Sequence, residues 1–217
     1  EQRPAYEAGL AAYDQQAGTL AASEKELTAG KAALAAGKAV SFRYFDYDVK
    51  KEKVFRRSGR RYTVFPHGLI WNSENYYLVG WDGAKKEVRH YRVDKMAELA
   101  VTCLKLEEGE DLDRASFDMA AYAAKHFGMF SGREGNVRLR CSNAMVGVML
   151  DRFGQDVILV PAGPDHFTLT VEAVVSPQFF GWLFGLGDGV ALTAPDWAVE
   201  AYRQQLHAAL EQADAGG

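Results

Sequence analysis

A run of short strand patterns, broken by tight-turn signals between residues 38 and 107, limits the fold of this chain more than any other feature. Val40, Phe42 and Tyr44 alternate with Ser41, Arg43 and Phe45, a period of two that belongs to a strand rather than a helix. Segments 53–57 and 60–64 flank Ser58-Gly59, where glycine supplies the positive φ of a hairpin turn. Strands at 68–71, 76–81 and 87–93 follow, separated by Asn72-Ser73-Glu74-Asn75 and by Asp82-Gly83, and 101–106 completes the set. About six short strands in roughly 65 residues leave many exposed edges in an open sheet, and a small antiparallel barrel removes them.

The flanking segments differ in period. Residues 5–36 are Ala-rich, with Tyr6, Leu10, Tyr13, Ala17, Leu20, Leu27 and Leu34 at helical spacing. Glu24 and Lys31 interrupt that seam, and Gly9, Gly18, Gly30 and Gly37 each weaken a helix by about 1 kcal/mol. Two readings stand: an amphipathic helix or helix pair lying on a neighbouring domain, or a coiled-coil dimerisation or linker element. After an acidic stretch, 117–130 reads as a helix. From residue 137 the order is strand, helix, strand, strand, helix, strand, with a closing helix from Pro195-Asp196. Ser142-Asn143 and Ser176-Pro177 are the helix starts of that series. This is the βαββαβ order of a ferredoxin-like domain. The expected class is therefore α+β: an N-terminal helical segment (1–37), a small barrel (38–107), a linker with a helix (108–132) and a ferredoxin-like domain (133–213).

Charge and chemistry narrow the function. The net charge of −4 predicts no general affinity for nucleic acid, yet residues 43–61 hold eight lysines and arginines against three carboxylates, so that segment can meet an anion. Cys103 and Cys141 are far apart, lie in apolar strand patterns as small core residues, and fit a reducing cytoplasm. No apolar run approaches the roughly 18 residues that span a bilayer. His67, His90, His126, His166 and His207 form no metal-ligand spacing. The Gly185-Leu186-Gly187 turn ends a helix rather than opening one, so it is no dinucleotide loop. No nucleophile elbow is present, and the carboxylates of 107–111 read as a solvated linker. The expectation is a binding protein without catalytic residues, metal or cofactor; an enzyme acting on nucleotides stays as an alternative.

The candidate binding residues come from strand faces. His90, Arg92 and Asp94 share one face of their strand, and Tyr77, Val79 and Trp81 share one face of theirs, opposite Tyr76 and Leu78. Tyr77, His90 and Arg92, with Lys95 at the strand end and Arg61 and His67 nearby, can form a shallow site for a nucleotide or a short single strand. Equally, the aromatics can be barrel core and the cations a solvated face. By alternation, Tyr76 and Leu78 are expected in the core and Tyr77 on the ligand side.

These residues resemble a WYL-domain protein. Tyr76-Tyr77-Leu78 stands where the family has Trp-Tyr-Leu; 40–45 resembles its opening strand, 61–69 its Pro-x-x-Leu segment, and 89–96 its closing strand, with Lys95 where Arg is common. Residues 137–210, including Ser176-Pro177-Gln178-Phe179-Phe180-Gly181-Trp182-Leu183, resemble the companion WCX extension. The resemblance implies a Sm-like, SH3-like barrel that senses a ligand for a bacterial transcriptional regulator. It implies a nucleic-acid-derived ligand at Tyr77, Arg92 and Lys95, DNA bound through a winged helix-turn-helix domain, and a homodimer; the lack of a long apolar run is what predicts no membrane partner. Residues 1–37 do not read as such a DNA-binding domain. The chain opens on Glu1 without a signal-peptide pattern. Two expectations follow: a DNA-binding domain precedes Glu1, or the chain senses without one. A rival reading makes the chain a protein-interaction module that self-associates through the aromatic helix 177–184.

Overall fold

The computed structural model describes residues 37–105 and 117–215, together with helical backbone at Gly18, Ala21, Glu24, Lys25, Thr28 and Ala32. Most of the seam expected in 5–36, and the acidic stretch at 107–111, lie outside the described residues. The chain divides between Met119 and Ala120 into two compact units. The class is α+β. No helix among the described residues is long and apolar enough to cross a membrane.

The first unit is a curled antiparallel half-barrel built around β1 (Lys38–Tyr47). One edge of β1 pairs with β6 (Met96–Lys105). The other edge is shared: Val40, Ser41 and Phe42 face β3 (Tyr62–Asn72), and Phe45, Asp46 and Tyr47 face β2 (Lys53–Phe55). The sheet continues from β3 to β4 (Asn75–Asp82) and β5 (Glu87–Arg92). A 3-10 turn over Val93–Lys95 makes the corner into β6.

This arrangement corrects the hairpin expected at Ser58-Gly59. Segments 53–57 and 60–64 do not pair with each other; both lie on β1. Arg57, Ser58 and Gly59 are successively left-handed, which swings the chain across β1 instead of folding it back on itself. The strand expected at 68–71 begins earlier, because β3 runs through Pro66 with a register shift between Pro66 and Gly68. Proline cannot donate to the ladder, and a bulge accommodates it.

Val40, Phe42, Tyr44, Tyr62, Val64, Leu78, Tyr91 and Met96 fill the concave face. Phe42 stacks on Tyr62 at 5.7 Å, and Tyr91 meets both rings edge-on. Each such side chain contributes about 1.5–3 kcal/mol through burial. The Tyr91 hydroxyl donates to buried Asp82 at 2.9 Å, so neither polar group is left unsatisfied in the core. Cys103, expected as a core residue, is exposed on β6; Cys141 is buried.

The second unit takes in all but the first residue of helix α1 (Met119–Lys125). Strand β7 (Arg133–Ser142) leads through a 3-10 turn to α2 (Val146–Phe153), then β8 (Val160–Pro161), β9 (His166–Val175), α3 (Pro177–Gly185), β10 (Val190–Ala194) and α4 (Asp196–Ala215). The sheet order is β10-β7-β9-β8, antiparallel throughout, which is the split pairing of a ferredoxin-like domain. Val137, Leu139, Cys141, Phe167, Leu169 and Val171 alternate along β7 and β9 onto one face, where Met149, Phe179 and Leu183 from the helices cover them. Ser176 caps α3 by accepting from the Phe179 amide, with Pro177 in the first turn. Asn143, not Ser142, is tied to the β8–β9 turn, through Pro164 and Asp165.

Candidate ligand site on the barrel

The strand register brings three of the six expected residues onto one face. Tyr77 lies opposite Arg92, and Val79 opposite His90. Directly opposed residues share a face, so Tyr77, His90 and Arg92 all project from the convex side of the sheet, away from Leu78 and Tyr91. The Tyr77 and His90 rings meet edge-on at 6.0 Å. Tyr77 is buried, and that burial raises its phenol pKa.

Arg92 is anchored from two directions. Its backbone N–H donates to the Tyr44 hydroxyl at 3.1 Å. Its guanidinium forks onto Asp94, with Nε to Oδ1 at 3.0 Å and Nη2 to Oδ2 at 2.7 Å. That carboxylate raises the Arg92 pKa.

Lys95 joins the same end of the barrel through a second carboxylate. Its Nζ donates to Asp46 Oδ1 at 2.9 Å, while Arg56 Nε donates to Asp46 Oδ2 at 2.5 Å. Hydrogen bonds from Arg56 and then Lys95 hold the Asp46 carboxyl down at about 2. The Arg56 guanidinium lies 5.2 Å from the Tyr44 ring centre, so Arg92, Tyr44, Arg56, Asp46 and Lys95 form one connected set. Three cations stand against two carboxylates there.

Arg61 is committed elsewhere, and His67 falls at the bulge beside Gly68, the residue paired with Val79. Arg61 bolts β1 to β6: Nε donates to Ser41 Oγ at 2.7 Å, Nη2 to the carbonyls of Ser41 and Glu98, and Nη1 to Glu98 Oε2 at 3.1 Å. Arg43 takes the other Glu98 oxygen at 2.7 Å. Glu98 reaches both from a left-handed backbone, φ +56°, within β6. His67 lies with its ring 4.5 Å from Phe117.

The faces of the Tyr-Tyr-Leu motif divide differently from expectation. Leu78 is core, as alternation demands. Tyr76 shares its side but sits past the end of the core; it is 47% exposed and packs edge-on against Trp71 at 4.7 Å. Tyr77 is buried on the other side, opposite Arg92.

Sequence reasoning passed over Asp46, Arg56 and Tyr44. Asp94 carried a signal: it follows Arg92 by two residues on one strand face. Asp46 and Arg56 carried none, because they meet only once β2 takes its register on β1. Cys141 is buried, and burial lifts its thiol to about 11, far from a reactive thiolate.

A small curled half-barrel with an ion-paired rim, followed by a ferredoxin-like unit, defines a two-unit α+β architecture. Comparison with known families is specific: a WYL domain matches residues 26–101 and a WCX domain matches residues 133–210. The chain is a WYL-domain protein with a WCX extension. Among solved structures it is similar to a CRISPR Cas-related protein, at TM-score 0.54 and 15% identity over 89% of this chain and 52% of that one. It is also similar to the proteasome accessory factor B/C (PafBC) of Arthrobacter aurescens, at TM-score 0.39 and 17% identity over 88% of this chain and 27% of that one. The chain thus spans about half the length of the first and about a quarter of the second. No curated protein matches it.

Proposed function

We propose that this chain is the ligand-sensing part of a bacterial transcriptional regulator. Its barrel binds a nucleic-acid-derived anion: single-stranded DNA or RNA, or a nucleotide. The observation that carries this reading is the Arg92 fork, which faces out beside Tyr77 and, among the described residues, is closed by Asp94, two residues along the chain. Asp94 is half exposed, and an ion pair of that kind contributes about 0–1 kcal/mol. A phosphate offers the same two-oxygen geometry with more charge. Binding is then an exchange in which the phosphate takes the fork and Asp94 turns to water. Lys95 and Arg56, gathered by Asp46, supply further positive charge along the rim.

The exchange is tested by titrating nucleotides and short single strands. Arg92→Ala loses about 10-fold or more in affinity, the scale of one or two charged hydrogen bonds, with the fold retained by circular dichroism. Asp94→Asn frees the fork and binds more tightly than wild type. Indistinguishable titrations of Arg92→Ala and wild type remove the site.

The cellular output in this reading is transcriptional control in the cytoplasm by a homodimer, with DNA held by a domain outside this chain. The barrel acts by binding, without turnover. A second reading, self-association through α3, finds support in one residue. Phe179, Phe180 and Leu183 are core, and Phe180 stacks on Tyr202, but Phe184 is 68% exposed. Light scattering of Phe184→Asp is the measurement that separates the readings, since loss of a dimer with ligand affinity intact favours the second.

A further inference from the structure

The convex face of the barrel beside Arg92 is covered. Residues that point outward from a curled sheet stand in water unless something lies on them, yet Tyr77 is 7% exposed and Val79 is fully buried. A ring without an open face offers a ligand nothing to stack on. Part of the cover is the chain itself, in the residues that lead into α1. Phe117 sets its ring 4.5 Å from the His67 ring. Met119 rests on Gly68, where a Cβ would come 2.9 Å from the Met119 Cε. All four residues belong to the first unit.

Strand register places these contacts next to the candidate site. Gly68 lies opposite Val79 and Val79 opposite His90, a single row across β3, β4 and β5. Ile70, Tyr77 and Arg92 form the neighbouring row. Directly opposed residues share a face, so Met119 sits on the convex side, one row from Tyr77 and Arg92. His67 is the extra residue of the bulge before Gly68, which brings Phe117 to the same end of that row. The missing side chain at Gly68 is what leaves room for the flexible thioether. Asp94 closes the Arg92 fork. Both halves of the site, the fork and the aromatic face, are thus taken up by the chain.

We propose that residues 117–119 are an autoinhibitory strap: Phe117 and Met119, seated on His67 and Gly68, keep the ligand face closed, and a ligand that engages Tyr77 displaces them. This rests on the function proposed above and adds the regulation of its site. Ligand and strap compete for one face, so the apparent affinity is reduced to the fraction of molecules with the strap lifted. Met119 is also the first residue of α1, so the strap is continuous with the chain of the second unit.

Two probes are titrated, adenosine triphosphate and a labelled oligothymidylate of about 12 nucleotides. The double variant Phe117→Ala, Met119→Ala binds at least one of them about 10-fold or more tightly than wild type, the effect of about 1.4 kcal/mol of seated strap. Without any ligand, tetranitromethane followed by mass spectrometry nitrates Tyr77 in the double variant and spares it in wild type. A second variant holds the strap down. In a Cys103→Ser background, Gly68→Cys places a Cβ 3.8 Å from the Met119 Cγ position, where the sulfur of Met119→Cys stands, within reach of a disulfide. Oxidised, this protein binds about 10-fold or more weakly than after reduction with dithiothreitol, and the comparison is made on one polypeptide, so a folding defect is common to both arms. Equal affinity of the oxidised and reduced forms overturns the strap, and so does Tyr77 nitration unaltered by the double substitution. If the strap fails in this way while Arg92→Ala still weakens binding, the function stands without it. If neither wild type nor the double variant binds either probe, the function and its autoinhibition fall together.

Discussion

Asp46 has two jobs that are separable by pH. It collects Arg56 and Lys95 at the rim, and its backbone lies in the stretch where β1 accepts β2. Its carboxyl titrates at about 2 in the folded chain, below the ordinary value of 3.8, because two cations hydrogen-bond the charged form. A carboxylate depressed in this way adds stability that is fully present above its unfolded pKa and is lost as pH falls through the folded one. The stability difference between wild type and Asp46→Asn, followed by thermal melts, is therefore expected to be constant above about pH 4 and to vanish toward about pH 2. A difference that grew on acidification would mean that Asp46 is not held by cations. Arg61 shows the opposite relation between sequence and role. It belongs to the basic run and looks like a ligand contact, yet Ser41 and Glu98 consume its guanidinium. Glu98 is far along the chain and reaches Arg61 from a left-handed residue inside a strand, an arrangement that residue order does not signal.

At the scale of elements, β4 is packed on both sides. Tyr77, Leu78, Val79 and Gly80 are buried in succession, so both faces of the strand are covered. Gly80 sits opposite Pro66 in the ladder, and a Cβ there would meet the Phe65 carbonyl oxygen and come 2.7 Å from Val64 Cγ1. Backbone cannot step aside as a flexible side chain does. Gly80→Ala is expected to destabilise the barrel by about 1–3 kcal/mol, read as a lower urea midpoint. An unchanged midpoint means that β3 shifts freely past β4. Strand existence was legible here because period-two alternation and turn residues are local signals. Pairing was less so. Ser58-Gly59 reads as a hairpin turn, but three left-handed residues in succession, Arg57 to Gly59, send the chain across β1 instead. Turn chemistry names a reversal without naming the strand that receives the returning chain. The face of Tyr77 was legible for the same local reason as the strands, whereas its burial depends on what lies over the convex side, which no period encodes.

At the scale of the molecule, the two units carry separate cores with different grammars. The barrel core is aromatic and assembled from strands that pair at long range. The ferredoxin-like core combines two alternating strands with helix stripes, and its strand order follows from the βαββαβ sequence once right-handed crossovers are required. That is why the second unit was the more readable: periodicity changes at each helix boundary, and Ser176-Pro177 marks one of them by side-chain chemistry. Separate cores make stability and sensing separable. Leu139 is fully buried in β7 with no part in the Arg92 rim, and Leu139→Ala is expected to cost its own unit about 2–5 kcal/mol. Calorimetry of this variant should show one unfolding transition moved down in temperature and the other in place. A nucleic-acid ligand that binds the native barrel raises the transition of that unit by mass action, and Leu139→Ala leaves the rise unaltered. A single transition that moves with both the substitution and the ligand would instead show one cooperative body, in which occupancy of the Arg92 fork is felt at β7. Sensing would then reach the WCX extension through stability itself.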